Sequence, residues 1–121
     1  MVQGKTKRCF YDKTIGCKSC NIIYGIWCEK CQEIVYVGET GGVIYSRIQN
    51  HLSSIRSQNP AVDLPVRRHF LIQGHTIEDF RFVGLERVWQ SNVDYRRARE
   101  MRWTRLLGTT VASGGLNVRM E

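Results

Sequence analysis

No apolar run in this 121-residue chain approaches the roughly 18 residues that a membrane-crossing helix requires. No N-terminal stretch reads as a secretory signal, and neither an internal repeat nor a low-complexity tract is visible. These absences leave one globular domain, long enough for its own core and too short for two. Acids are also scarce, 11 Asp and Glu against 18 Lys and Arg. The resulting charge of +7 points away from acidic-surface proteins and towards a polyanionic partner. The excess is focused at Arg67-Arg68 and at Arg96, Arg97, Arg99, Arg102 and Arg105. Arginine forks suit phosphate oxygens, although a basic helix is also what a solvated face looks like.

All five cysteines lie within the first 31 positions. An odd count without a secretory signal argues against a disulfide framework. Cys17-x-x-Cys20 and Cys28-x-x-Cys31 both have the spacing at which two thiolates share one zinc ion, and Cys9 is left as a plain thiol. His69-FLIQG-His75 supplies an H-x₅-H pair. Cys28, Cys31, His69 and His75 together make a closed tetrahedral set that would pin a hairpin tip to a helix. The all-sulfur set Cys17, Cys20, Cys28 and Cys31 is the alternative.

Residues 1–20 read as a basic, irregular N-terminal segment and 21–121 as the folded domain. Alternating β-branched and aromatic residues predict strands over 21–27 and 33–38, joined at Cys28–Cys31 as an antiparallel hairpin. Thr40 is the expected N-cap of a helix over 43–56, whose Ile44, Ile48, Leu52 and Ile55 form one buried stripe. Asp63 and Pro65 open a short helix running to Ile72, with Gly74 as its C-terminal cap. A third strand spans 78–88, and a third helix 93–107 stops at Gly108. The expected fold class is therefore α+β: a small three-stranded antiparallel sheet flanked by about three helices, with a structural zinc site.

The chemistry-bearing residues cluster in type. Tyr24 and Tyr36 lie on extended backbone, each near a glycine that permits close approach. Tyrosine is also simply a good strand former. Arg47 and His51 are an i, i+4 pair on one side of a helix, and a fixed guanidinium stabilises the charge that builds on a phosphodiester under attack. Glu100 stands among arginines, either as an intrahelical partner of Arg96 or Arg97 or as an inner-sphere ligand of Mg²⁺ or Mn²⁺, ions that take only one or two carboxylates. Asn117 follows Gly-Gly and reads by default as a turn residue.

The pattern resembles a GIY-YIG endonuclease domain, more narrowly the endonuclease module of Penelope-like retroelements. NIIYGIWCEKCQEIVYVGETGG, RIQNH, LPVRRHFLIQGH, RRAREMRW and GGLNVR carry the resemblance, from about Cys17 to Arg119. Ile22 stands where the first tripeptide has glycine, and Val37 where the second has isoleucine. The resemblance implies that Tyr24 assists deprotonation of the attacking water, with Tyr36 as orienter or second proton acceptor. It implies that Arg47 holds the scissile phosphate and that His51 contacts the phosphate or moves a proton. Glu100 would be the ligand of a single catalytic ion, and Asn117 would hold the site or its DNA together. The Cys and His pairs match the zinc-binding insertion of the Penelope-like branch. Kinship further implies nicking of DNA to prime reverse transcription, a larger reverse-transcriptase polypeptide and a nuclear location. Arg67, Arg68, Arg96, Arg97 and Arg99 are the expected DNA contacts. The rival expectations are a zinc-stabilised nucleic-acid-binding module without chemistry and a purely structural or interaction domain.

Overall fold

The computed structural model describes residues 8–10, 15–57, 59, 64–89 and 92–117. Its centre is three antiparallel strands, β2 (Ile22–Cys28), β3 (Glu33–Thr40) and β4 (Phe80–Arg87). A short strand β1 (Arg8–Phe10) pairs parallel with β4, giving a sheet ordered β1-β4-β2-β3. Three helices complete the domain: α1 (Ile44–Arg56), α2 (Pro65–Phe70) and α3 (Val93–Leu107). The α+β class and the three-stranded antiparallel sheet with three helices agree with expectation. The fourth strand corrects the reading of residues 1–20 as irregular. Three residues carry too little alternation to be recognised, and pairing with the free side of β4 is what extends them. Ile15, from the same segment, is buried in the core.

The two faces of the sheet bury different sets of residues, because side chains alternate along a strand. Ile22, Tyr24, Ile26 and Cys28 of β2, with Phe80 and Phe82 of β4, pack beneath α1 and α2. Ile44, Ile48, Leu52 and Ile55 are all buried there, as the helical stripe predicts. Ile23, Val37, Val83 and Leu85 face the other way, against Trp103 and Leu107 of α3. The domain is thus three-layered, with β2 covered on both faces and both edges.

Several helix ends differ in detail. Thr40 is the last residue of β3, and its Oγ1 accepts from Gly42 N at 3.1 Å; α1 begins after Val43, which makes no side-chain cap. Two glycines between strand and helix absorb the turn that a cap would otherwise organise. Leu64 precedes α2 and Pro65 opens it, while Asp63 lies outside the described residues. The helix ends at Phe70, earlier than expected, and Gly74 (φ 91°) serves a turn leading into His75. α3 stops at Gly108 in the left-handed region (φ 65°), as the glycine signal predicts.

Gly38 shows why a strand can require a residue with no side chain. It pairs with Tyr24 across β2 and β3, and a Cβ there would lie 2.5 Å from both Cζ and Oη of the Tyr24 phenol. The ring is fully buried and stacked on Phe82 at 4.9 Å, so it has nowhere to retreat. Gly38→Ala should lower stability by roughly 1–3 kcal/mol, read as a shift in urea midpoint at constant m-value; an unshifted midpoint would show that the phenol can move.

Candidate active site and metal centre

Tyr24 projects from the middle strand into the α1 side of the core, where two polar side chains meet it. Arg47, in the first turns of α1, donates from Nε to the phenol oxygen at 3.1 Å. His51, one turn later, places Nε2 2.8 Å from the same oxygen. The i, i+4 spacing of Arg47 and His51 brings both onto one atom. Tyr36, from β3, sets its ring edge-on to His51 at 5.9 Å.

The electrostatics define the resting protonation. Burial pushes the Tyr24 phenol well above its ordinary value, with Tyr36 adding to the rise and Arg47 opposing it; Glu100 contributes a further increase. Burial, then the Arg47 charge, lowers His51 to about 4. At neutral pH the site therefore holds a neutral phenol, a neutral imidazole and a charged guanidinium. The pairing that satisfies all three has the phenol accepting from Arg47 and donating to His51 Nε2. One neighbouring arginine is not enough to ionise Tyr24, because desolvation outweighs it.

Glu100 lies on α3, on the far face of the sheet, and is buried to 7% exposure. Its charge still reaches Tyr24. The intrahelical partner proposed for it is otherwise engaged: Arg96 donates from Nε to Glu39 Oε1 at 2.7 Å and from Nη1 to Asn21 Oδ1 at 3.2 Å. Among the described residues, Glu100 does not belong to a group of three or more His, Cys, Asp or Glu side chains.

Asn117 sits on β3 rather than among the phenols. Its Oδ1 accepts from Val37 N at 2.8 Å and its Nδ2 donates to Val37 O at 2.7 Å. Next to it, Leu116 N donates to Val35 O at 2.9 Å. The side-chain amide thus stands in for a neighbouring strand on the open edge of β3, between Tyr36 and Gly38. Sequence gave only a Gly-Gly loop before it, and nothing there pointed to a strand so distant in the chain.

The basic residues divide. Arg99 makes a forked pair with Glu86 at 2.9–3.1 Å, with Trp103 Nε1 on the same carboxylate at 2.8 Å. Arg67 donates to Ser57 O at 3.0 Å. With Arg96, these three hold the fold together, whereas Arg97 is exposed. Composition cannot separate the two roles, since each pairing joins residues far apart in sequence.

Cys28, Cys31, His69 and His75 gather at the opposite end of β2, and one ligand atom from each lies within 4.8 Å of the others. Cys31 Sγ is 3.7 Å from His69 Nε2 and 3.5 Å from His75 Nε2. Zinc–sulfur and zinc–nitrogen bonds at a tetrahedral angle span an S···N edge of about 3.6 Å, so this cluster fits such an ion. The Cys31 thiol is pushed up to about 11, first by burial and then by its bond to Cys28, and His69 is lowered by burial and by His75. A Cys31 thiol so raised must give up its proton to ligate a metal, so binding there would release protons. Cys17 and Cys20 do not join this cluster.

No family model matches the chain, and no curated protein or solved structure matches it.

Two outcomes follow from this geometry. Because His51 falls to about 4 in the fold against an ordinary 6.5, the unfolded chain binds the extra proton between those values. Stability is then full above pH 6.5 and declines as pH drops towards 4, by on the order of 3 kcal/mol; denaturation of His51→Gln across the same range should lose that part of the slope. Separately, purified protein should carry about one equivalent of metal, lost in both Cys28→Ser and His75→Ala and kept in Cys17→Ser. Loss in Cys17→Ser would assign the ion to the all-sulfur set.

Proposed function

We propose that this domain is a metal-dependent DNA endonuclease of the GIY-YIG kind, resembling the module of Penelope-like retroelements, stiffened by a structural zinc on Cys28, Cys31, His69 and His75. The observation that carries the reading is the meeting of Tyr24, Arg47 and His51 on one phenol oxygen within reach of the Glu100 charge. Side chains from a strand and a helix converge on that atom, and the charge of an acid on α3 is felt there; these are the group types that phosphodiester cleavage needs as base, cation and metal ligand.

Each residue has a definable task. Arg47 keeps its charge, anchored by Tyr24, and stabilises negative charge on the phosphate oxygens. Tyr24 would assist deprotonation of the attacking water, taking its proton as the phenol's own passes to the neutral Nε2 of His51. Tyr36 borders the same ring and confines its orientation. Glu100 would hold Mg²⁺ or Mn²⁺, which supplies Lewis acidity and a more acidic water. Asn117 keeps Tyr36 and Gly38 in place by fixing the strand between them. DNA is the partner, engaged through exposed cations such as Arg68 and Arg97. Priming of reverse transcription, a larger parent polypeptide and a nuclear setting belong to the same reading.

A specific observation favours the second reading, a nucleic-acid-binding module without cleavage. A fully buried phenol with all its hydrogen bonds met is also what a structural tyrosine looks like.

Supercoiled plasmid with Mg²⁺ or Mn²⁺ separates the two. Nicking should fall by at least about 10³-fold in Glu100→Gln and about 10²-fold in Tyr24→Phe, with far-UV circular dichroism confirming that both variants fold at the assay temperature. Undiminished nicking in Glu100→Gln would falsify the metal assignment, and no nicking by wild type with either ion would leave the binding module.

A further inference from the structure

Two turns of the chain repeat one local design, a pair of cysteines three positions apart followed by a residue of positive φ. Among the described residues that are not glycine, Asn21 (φ 59°) and Gln32 (φ 57°) are the two that enter the left-handed region. Each stands directly after the second cysteine of a Cys-x-x-Cys, at Cys17–Cys20 and at Cys28–Cys31. Side chains disfavour that conformation. A turn leading into a left-handed residue directs backbone N–H groups into one concavity, which suits an anionic cluster such as thiolates around a metal. The second turn belongs to a complete set of four potential ligands, Cys28, Cys31, His69 and His75. The first does not: among the described residues, Cys17 and Cys20 join no group of three or more His, Cys, Asp or Glu side chains.

The first turn is held firmly at the surface. Ser19 N donates to Gly16 O at 3.0 Å, and Ser19 Oγ accepts from Gly16 N at 2.8 Å, which closes the turn on itself. The carbonyls of Cys17 and Ser19 accept from Tyr45 N at 3.1 Å and Ile44 N at 2.8 Å, the first amides of α1, a helix without a side-chain cap. Asn21 ties the other side: its carbonyl accepts from Val88 N at 2.8 Å and its Oδ1 from Arg96 Nη1 at 3.2 Å. The backbone that carries both cysteines is therefore anchored to α1, to α3 and to the end of β4. Cys17 is exposed and Cys20 half-buried. A pair fixed in this way loses little freedom on taking a metal, yet two thiolates leave a tetrahedral ion half-coordinated.

We infer that Cys17 and Cys20 are half of an intermolecular zinc site, completed by the same two residues of a second copy of this chain. One ion on a two-fold axis then has four sulfur ligands, the closed set of a structural site. The charges suit it. Four thiolates around Zn²⁺ leave a net double negative charge, which Lys18 of each copy, exposed between the cysteines, offsets. The first turn of α1 carries no acid, and the positive end of that helix lies against the same turn. Without the ion, two chains of +7 each repel one another, so association depends on the metal. Two thiolates alone hold zinc less firmly than four ligands do, so a dilute chain keeps only the ion proposed at Cys28, Cys31, His69 and His75. The inference stands independently of the endonuclease reading.

The test titrates zinc chloride into the full chain in a phosphine reductant, which keeps disulfides from forming, and reads metal uptake beside sedimentation velocity. Beyond the ion at the Cys28 and His75 cluster, about half an equivalent more per chain should bind, and the sedimenting species should pass from one chain to two. Removal of zinc with EDTA should restore the single chain. Cys17→Ser and Cys20→Ser should each abolish both the extra uptake and the dimer. Both lie in a surface turn, and far-UV circular dichroism confirms that the variants fold. A dimer that forms without zinc, or one that survives in Cys20→Ser, overturns the inference. So does a whole extra equivalent taken up by a chain that stays single, since the remaining ligands would then lie within one copy. Uptake that stops at the first equivalent, unaltered in Cys17→Ser, overturns it as well.

Discussion

A phenol buried at the centre of the sheet must have its oxygen satisfied, and that requirement organises the surrounding structure. Tyr24 is fully buried, and in the folded chain its polar atom is met by side chains that arrive from elsewhere. Arg47 and His51 arrive together because they lie one turn apart on α1. The buried stripe of α1 then fixes how far along β2 the helix can sit, since sliding it would strand all three groups. Gly38 leaves the space the ring occupies. A hydrogen-bonding need thus sets the register between a helix and a sheet that hydrophobic burial alone would leave loose.

The far layer is held by a different device. α3 carries few apolar residues on its packed face, and charged clasps replace them: Arg96 with Glu39, and Arg99 with Trp103 on Glu86. These partly buried, short and forked contacts have better geometry than surface ion pairs usually achieve. On the open side of β3, the Asn117 amide satisfies both backbone groups of Val37 and so keeps an edge strand from offering itself to another chain. Cys28, at the end of β2, brings the hairpin tip with Cys31 to His69 and His75, forming a group that could hold a metal.

Much of the secondary structure could be read along the chain. The stripe Ile44, Ile48, Leu52 and Ile55 marked α1 because helical periodicity is a local signal, and Gly108 marked the end of α3 for the same reason. The paired spacing of Cys28 with Cys31 and of His69 with His75 also marked the four residues that come together as a group able to hold a metal, since ligand geometry constrains short stretches. What failed was short or relational. β1 has three residues and no pattern; Thr40 looked like a cap because its type suits one, yet the glycines after it made a cap unnecessary. The role of Asn117 was invisible, since a side-chain amide that replaces a strand has no sequence signature.

The amino-acid order by itself settled which segments would be helix or strand, which residues would be apolar core, and which functional groups were on hand. Folding in three dimensions decided which of them meet: that Arg47 and His51 share one phenol oxygen, and that Arg96 takes Glu39 instead of Glu100. The reason is physical. Propensity and periodicity act over a few residues, whereas desolvation, charge pairing and exposure depend on neighbours that only the closed chain supplies.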